Sequence, residues 1–258
     1  KNNMEMKQGC TNITSLITID NKKFIRKQPK QSKILMRFDE VRILEMLKQA
    51  GFDVEYQDFG DHFLLKYYEG TFLPSDNDLR FHIRPIMRAL NQFHMLPTPA
   101  SSQPYHDLLF EILFSSYPEH ADKLQRIKEE IGGSRNKKLK VVFSHCDLHS
   151  ENILFQESGL RFIDFEYTAS YFNFYDIACF LAEFTGIECD LQNCATRQEK
   201  REALQEYFGE VDQDDLRLLD LFEIVCFGVW AEWGRQMGFG NYHVHRAQKF
   251  AELIQLFE

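Results

Sequence analysis

His145-Cys146-Asp147-Leu148-His149-Ser150-Glu151-Asn152, followed downstream by Phe162-Ile163-Asp164-Phe165-Glu166-Tyr167, is the stretch that decides the reading of this chain. The apolar runs Asn152 to Phe155 and Leu160 to Phe165 read as two short strands. Asp147 starts a loop, Asn152 stands five residues later where the first strand begins, and Asp164 ends the second. A hairpin sets Asn152 and Asp164 side by side, with Asp147 projecting from the loop before them. Such a set offers one carboxylate to receive a hydroxyl proton and two oxygen ligands for Mg²⁺ against nucleotide phosphates, as phosphoryl transfer requires.

Outward from this hairpin the texture divides. Upstream, residues 12 to 19 alternate as a strand, Asp20-Asn21 signals a turn, and Lys23 to Arg26 reads as the hairpin partner. Val41, Leu44 and Leu47 recur at helical spacing in Arg37 to Ala50, and Gly51 stops that helix. Asp53 to Phe59 and His62 to Tyr68 read as two more strands, and Glu69-Gly70-Thr71 as a hinge. After it, helices are expected over Asp76 to Met95 (capped by Ser75), Tyr105 to Ser116 and Glu119 to Ile131. Beyond the hairpin they resume at Phe174 to Phe184, Arg197 to Phe208, Gln213 to Met237 and His243 to Phe257. The expectation is an α+β chain of two lobes, 1–69 small and β-rich, 70–258 larger and mostly helical.

Composition bounds the rest. The 258 residues carry 39 acidic and 30 basic side chains, a net charge of −9. That balance argues against a nucleic-acid or anionic-membrane partner and suits a small cation. No run approaches the ~18 apolar residues of a bilayer span. Residues 1–8 show no apolar signal core, and the six cysteines form no CxxC pair. Reduced thiols in a cytoplasmic protein are therefore expected.

The loop spacing resembles the His-x-Asp-x-x-x-x-Asn loop of protein kinases, with Asp164-Phe165-Glu166 in the place of their Asp-Phe-Gly. More narrowly, Ile163 to Tyr167, Asp176-Ile177 with Glu183, and Gly9-Cys10-Thr11-Asn12 resemble motifs of the choline/ethanolamine kinase family. It belongs to a wider group that includes the aminoglycoside and thiamine kinases. The resemblance implies a protein-kinase-like two-lobed fold and ATP- and Mg²⁺-dependent phosphorylation of the hydroxyl of choline, with ethanolamine next. It implies Asp147 as base and Asn152 and Asp164 as metal ligands. Thr11 and Asn12 would lie over the phosphates, Arg26 would be the phosphate-binding cation, and backbone groups near Lys66 and Tyr67 would meet adenine. Glu40 either orients Arg26 or forms a surface pair with Arg37, and Lys27 should face away from the site.

A quaternary ammonium has no donor hydrogens, so aromatic faces and nearby carboxylates hold it best. The resemblance places Tyr167, Glu183, Trp230 and Trp233 in that role, with Phe227, Tyr171 and Phe172 behind them. His94, His149, His243 and His245 are read as structural. Two readings stay open beside this one, an aminoglycoside or thiamine kinase and a catalytically weak kinase-like binding module.

Overall fold

The computed structural model describes residues 11–30, 36, 38–98 and 101–257. Gly9 and Cys10, expected in the nucleotide loop, and Arg37, expected at the start of the first helix, lie outside them. The small lobe is an antiparallel sheet of β1 (Asn12–Ile19), β2 (Lys22–Pro29), β3 (Tyr56–Asp58) and β4 (Phe63–Lys66) in the order β1-β2-β4-β3. Asp20 and Asn21 both take positive φ, 48° and 60°, which suits a tight two-residue hairpin between β1 and β2. Helix α1 (Glu40–Gln49) stands between β2 and β3 in the chain. The Asp39 carboxylate caps it, accepting from the amides of Val41 and Arg42, and its Leu44 and Leu47 are fully buried.

The large lobe is built from α2 (Ile83–His94), α3 (Gln103–Ser116), α4 (Ala121–Gly132), α5 (Asn173–Ala182), α6 (Arg197–Phe208), α7 (Gln213–Met237) and α8 (Gly240–Leu256). The single helix expected over Asp76 to Met95 is instead a tight 3₁₀ stretch, Asp76–His82, followed by α2. Pro85 accounts for this. It lacks an N–H and fits only the first turn of an α-helix, so α2 starts two residues before it. Ser75 stands at the cap position, but its hydroxyl bonds the Asp78 carboxylate rather than a helix amide. Every residue of α5 is buried, which makes it the axis around which the lobe packs.

Two small antiparallel pairs carry the decisive stretch. β6 (Ile153–Gln156) pairs with β7 (Gly159–Phe162), and β5 (Val141–Ser144) pairs with β8 (Ala169–Phe172). The β6–β7 hairpin was expected, and β8 was not. The segment joining the lobes is tied down. Thr71 and Phe155 exchange backbone hydrogen bonds of 2.9 and 2.8 Å, and Gln156 Nε2 donates to the Glu69 carbonyl at 2.7 Å. Gly70 passes so close to β6 that a Cβ there would lie 2.6 Å from the Phe155 oxygen, which excludes any side chain.

Candidate active site

The loop His145–Asn152 hangs from one buried side chain. Asp176, on α5, accepts the amides of His145 and Cys146, both at 2.6 Å, and His94 Nε2 at 2.8 Å. His94 Nδ1 bonds the Tyr207 hydroxyl at 2.7 Å, so the structural role expected for His94 holds. Cys146 sits in the left-handed region, φ 67°, a conformation a β-carbon disfavours and the two Asp176 bonds hold in place. His145 Nε2 donates to the Ile163 carbonyl at 2.9 Å, which joins this loop to the strand end bearing Asp164. Burial depresses the His145 pKa and keeps the ring neutral, although the nearby Asp176 opposes it.

Asp147 and Asn152 are joined as the five-residue spacing predicts. Asn152 Nδ2 donates to the Asp147 carbonyl at 2.8 Å and to its Oδ2 at 3.0 Å. That fixes the amide, with its Oδ1 left as an acceptor. The hairpin continues past β7 through a bond from the Ile163 amide to the Asn152 carbonyl at 3.1 Å, which sets Asp164 beside Asn152. Asp164 also has positive φ, 64°. Its Oδ1 accepts Lys27 Nζ at 2.8 Å, and the side chain keeps 34% exposure. Burial pushes the Asp147 carboxyl up to about 7; the nearby His149 opposes the rise, while Glu183, Asp164 and Glu166 add to it. For Asp164, burial also raises the carboxyl, but the Lys27 ammonium outweighs it and holds the group below the usual range.

The small-lobe cation that meets Glu40 and Asp164 is Lys27 and not Arg26. Lys27 Nζ reaches both Glu40 oxygens, at 2.8 and 3.0 Å, as well as Asp164. The expected pairing of Glu40 with Arg26 is thereby corrected. The β2 register sets Lys27 opposite Thr14 and Phe63, where its side chain is buried under the lobe, and strand alternation sends Arg26 to the other face. Burial alone would depress the ammonium, yet Asp164 and Glu40 raise it far above its ordinary value and keep it charged. Oxygens of Glu40, Asp164 and Glu166 converge within 4.8 Å, and Lys27 bonds two of the three.

Glu166, to which the sequence reading assigned no role, links the lobes. It accepts Thr11 Oγ1 at 2.5 Å and Asn12 Nδ2 at 3.1 Å, so these two side chains bond the large lobe. In the connecting segment, the Lys66 amide donates to the Glu55 carbonyl at 3.0 Å and the Tyr67 amide to the Lys23 carbonyl at 3.1 Å. Of the backbone groups near Lys66 and Tyr67 that are expected to meet adenine, these two amides are engaged in the small-lobe sheet.

In the large lobe, Trp233 Nε1 donates to the Tyr167 hydroxyl at 2.8 Å, and Trp230 lies edge-on to both rings at 5.2 and 5.4 Å. Tyr242 of α8 joins them, 5.9 Å from Trp233, and was absent from the sequence reading. It is admitted by Gly234, where a Cβ would lie 2.6 Å from the Tyr242 ring. Burial raises the hydroxyl pKa of Tyr167 and Tyr242, and the Asp147 charge adds to both shifts. Glu183 is engaged as well: Arg246, fully buried, donates Nη2 to its Oε1 at 2.5 Å and lies over the Tyr242 ring at 4.4 Å.

A small antiparallel sheet, a buried lysine–glutamate pair and an Asp–Asn–Asp set on a loop and hairpin together define the class, the protein-kinase-like two-lobed fold. Within it, the chain belongs to the choline/ethanolamine kinase family, whose sequence model matches residues 4–255. It is 25% identical over 235 residues to a probable ethanolamine kinase of Arabidopsis thaliana, covering 80% of this chain and 63% of that protein. The chain thus spans less than two thirds of that relative's length. Among solved structures, Plasmodium vivax ethanolamine kinase superposes with a TM-score of 0.76 at 18% identity, covering 98% of this chain and 81% of that one. The choline kinase LicA from Streptococcus pneumoniae gives 0.69 at 20% identity, with 94% and 89% covered. Among the described residues, no helix is long and apolar enough to cross a membrane.

Proposed function

We propose that this chain transfers the γ-phosphoryl group of ATP to the hydroxyl of a small amino alcohol, with choline the first candidate and ethanolamine the second. The observation that carries the reading is the Asp147–Asn152–Asp164–Lys27 constellation, with Tyr167, three residues past Asp164, packed into a cluster with Trp230 and Trp233. The resemblance of the family supports the same substrate class. Asp147, fixed through Oδ2 by Asn152, receives the hydroxyl proton. The alkoxide oxygen then bonds the γ-phosphorus, the bond to the bridging oxygen breaks, and ADP leaves with that electron pair.

The ligands offered for a metal are all oxygens, Asn152 Oδ1 and Asp164, which suits Mg²⁺. When bound, such an ion neutralises phosphate charge. Tyr167, Trp230, Trp233 and Tyr242 would face the ammonium group, with Glu183 held behind them by Arg246. A negative net charge favours such a cation and disfavours nucleic acid as a partner. A cytoplasmic setting belongs to the same proposal and agrees with the five free cysteines among the described residues.

The test is a steady-state panel of choline, ethanolamine and other amino alcohols with ATP, with and without Mg²⁺. We expect Mg²⁺-dependent release of ADP matched by phosphorylated amino alcohol. Absence of any phosphorylated amino alcohol at saturating ATP overturns the reading. Preference for ethanolamine over choline would favour the second candidate, the substrate in the names of the curated relatives.

A further inference from the structure

We infer that His149 is a positioning residue for the phosphoryl-transfer step, acting through Asp147 by presenting Nε2–H to its Oδ2 oxygen. The inference rests on the reading of Asp147 as the base. His149 Nε2 stands 3.7 Å from Asp147 Oδ2, the oxygen that already accepts Asn152 Nδ2 at 3.0 Å. Both groups therefore address the same oxygen, and Oδ1 takes no hydrogen bond among the described residues. Closing the small remaining gap on substrate binding, as catalytic contacts commonly do, commits Oδ2 to two donors and leaves Oδ1 as the basic atom.

The ring is held at Nδ1, and the backbone that carries it is fixed on both sides. His149 is the cap of the short turn Ser150–Asn152, and its Nδ1 accepts the Glu151 amide at 3.4 Å. Its carbonyl accepts the Asn152 amide at 3.0 Å, and the next amide, of Ser150, is fixed by Asp76 Oδ1 at 2.7 Å. With Nδ1 accepting, the ring proton lies on Nε2, a tautomer assigned from the hydrogen bond. A protonated ring would carry that proton too, so the donor is present in either charge state.

Capping alone does not require an imidazole, because Ser, Asp or Asn at this position would accept the same amide. What the imidazole adds is the second nitrogen, turned toward the base. The surroundings agree: Asp147, Glu183, Asp76 and Glu151 raise the His149 pKa against the lowering effect of burial. His149 itself gains no proton in the reaction; the hydroxyl proton ends on Asp147.

The experiment compares His149→Leu, His149→Gln, His149→Gly and Asp147→Asn in the full chain, with folding checked by thermal denaturation. Misplacing a catalytic group by about 1 Å costs on the order of 10²-fold. We expect His149→Leu to lower kcat by about 10- to 100-fold, with KM for ATP and for the amino alcohol within about twofold. His149→Gln, whose amide donor reaches the same place, should recover most of the rate. Added imidazole should raise kcat of His149→Gly, where it fills the vacated space, and leave Asp147→Asn unchanged. Wild-type kcat in folded His149→Leu, with Asp147→Asn inactive, overturns the inference and leaves the base assignment standing. A rise in the KM for ATP at unchanged kcat also overturns it, since His149 would then bind ground-state phosphate. An active Asp147→Asn overturns the base assignment itself.

Discussion

Replacing Lys27 by Met separates the two readings of the β2 cation. Lys27 holds both oxygens of Glu40 and one of Asp164, and its removal leaves those carboxylates, with Glu166, converging around an apolar side chain. Breaking a buried ion pair by deleting one partner costs about 3–5 kcal/mol. The lower end applies here, because Asp164 keeps 34% exposure and Glu40, already pushed up to about 7 by burial against the pull of Lys27, takes up a proton readily. About 3 kcal/mol lowers the melting temperature of a chain this size by roughly 6–12 °C. Arg26→Met, on the other face of the strand, should stay within about 0.5 kcal/mol of wild type. Adding Glu40→Leu to Lys27→Met should recover part of the loss, since an apolar replacement of a buried pair is often close to neutral. Thermal denaturation of the four proteins, with ATP affinity by calorimetry, decides the matter. If Lys27→Met melts with wild type and keeps its ATP affinity while Arg26→Met loses both, the assignment of Lys27 is wrong.

Asp147→Asn should lower kcat by about 10²–10⁴ while nucleotide binding persists, measured by single-turnover kinetics. Because burial lifts the Asp147 carboxyl from 3.8 to about 7, the acid limb of kcat/KM should have its midpoint near pH 7. A carboxyl with a raised folded pKa binds its proton more tightly when folded, so its share of stability is present below pH 3.8 and is lost as pH rises through 7. Asp147→Asn should therefore melt above wild type at pH 8, with the difference shrinking at pH 5. Trp230→Leu should raise the KM for choline by about 2- to 30-fold, the loss of one cation–π contact, and affect ethanolamine less. Glu183→Gln removes the carboxylate that pairs the buried Arg246, so a lower melting temperature should accompany any change in substrate preference.

The parts legible in the sequence are those encoded by local spacing. The five-residue step from Asp147 to Asn152 fixes a loop followed by a strand, and α6 and α7 begin and end at the residues expected, because Thr196 and Asp212 both form complete capping boxes and Gly209 and Gly238, both at positive φ, stop them. What escaped depends on parity or on distant packing. Alternation along β2 demands that only one of Arg26 and Lys27 face inward, and nothing local says which. Tyr242 reaches Trp233 only because Gly234 lets α8 lie close against α7. β8 is four residues long and pairs with a strand far back in the chain. Asp176 and Glu166 were visible as letters of familiar motifs, while their partners, two loop amides in one case and Thr11 with Asn12 in the other, are made by the fold. That the His149 ring stands 3.7 Å from the Asp147 carboxylate is likewise a matter of ring direction, which spacing does not encode.

The pinned crossing at Thr71 also limits how the molecule can open. From Lys66 to Thr71 the free chain can span at most about 17 Å, and both of its ends are stitched, one into the small sheet and the other to Phe155. Arg161 shortens this leash further, bonding the Asp53 carbonyl and carboxylate at 2.8 and 2.7 Å while lying 3.7 Å over the Tyr68 ring. The small sheet is thus held on a short strap that has little slack. Its anchor is β6, the same strand that begins just after Asn152, so the tie between the lobes ends on the hairpin that carries Asn152.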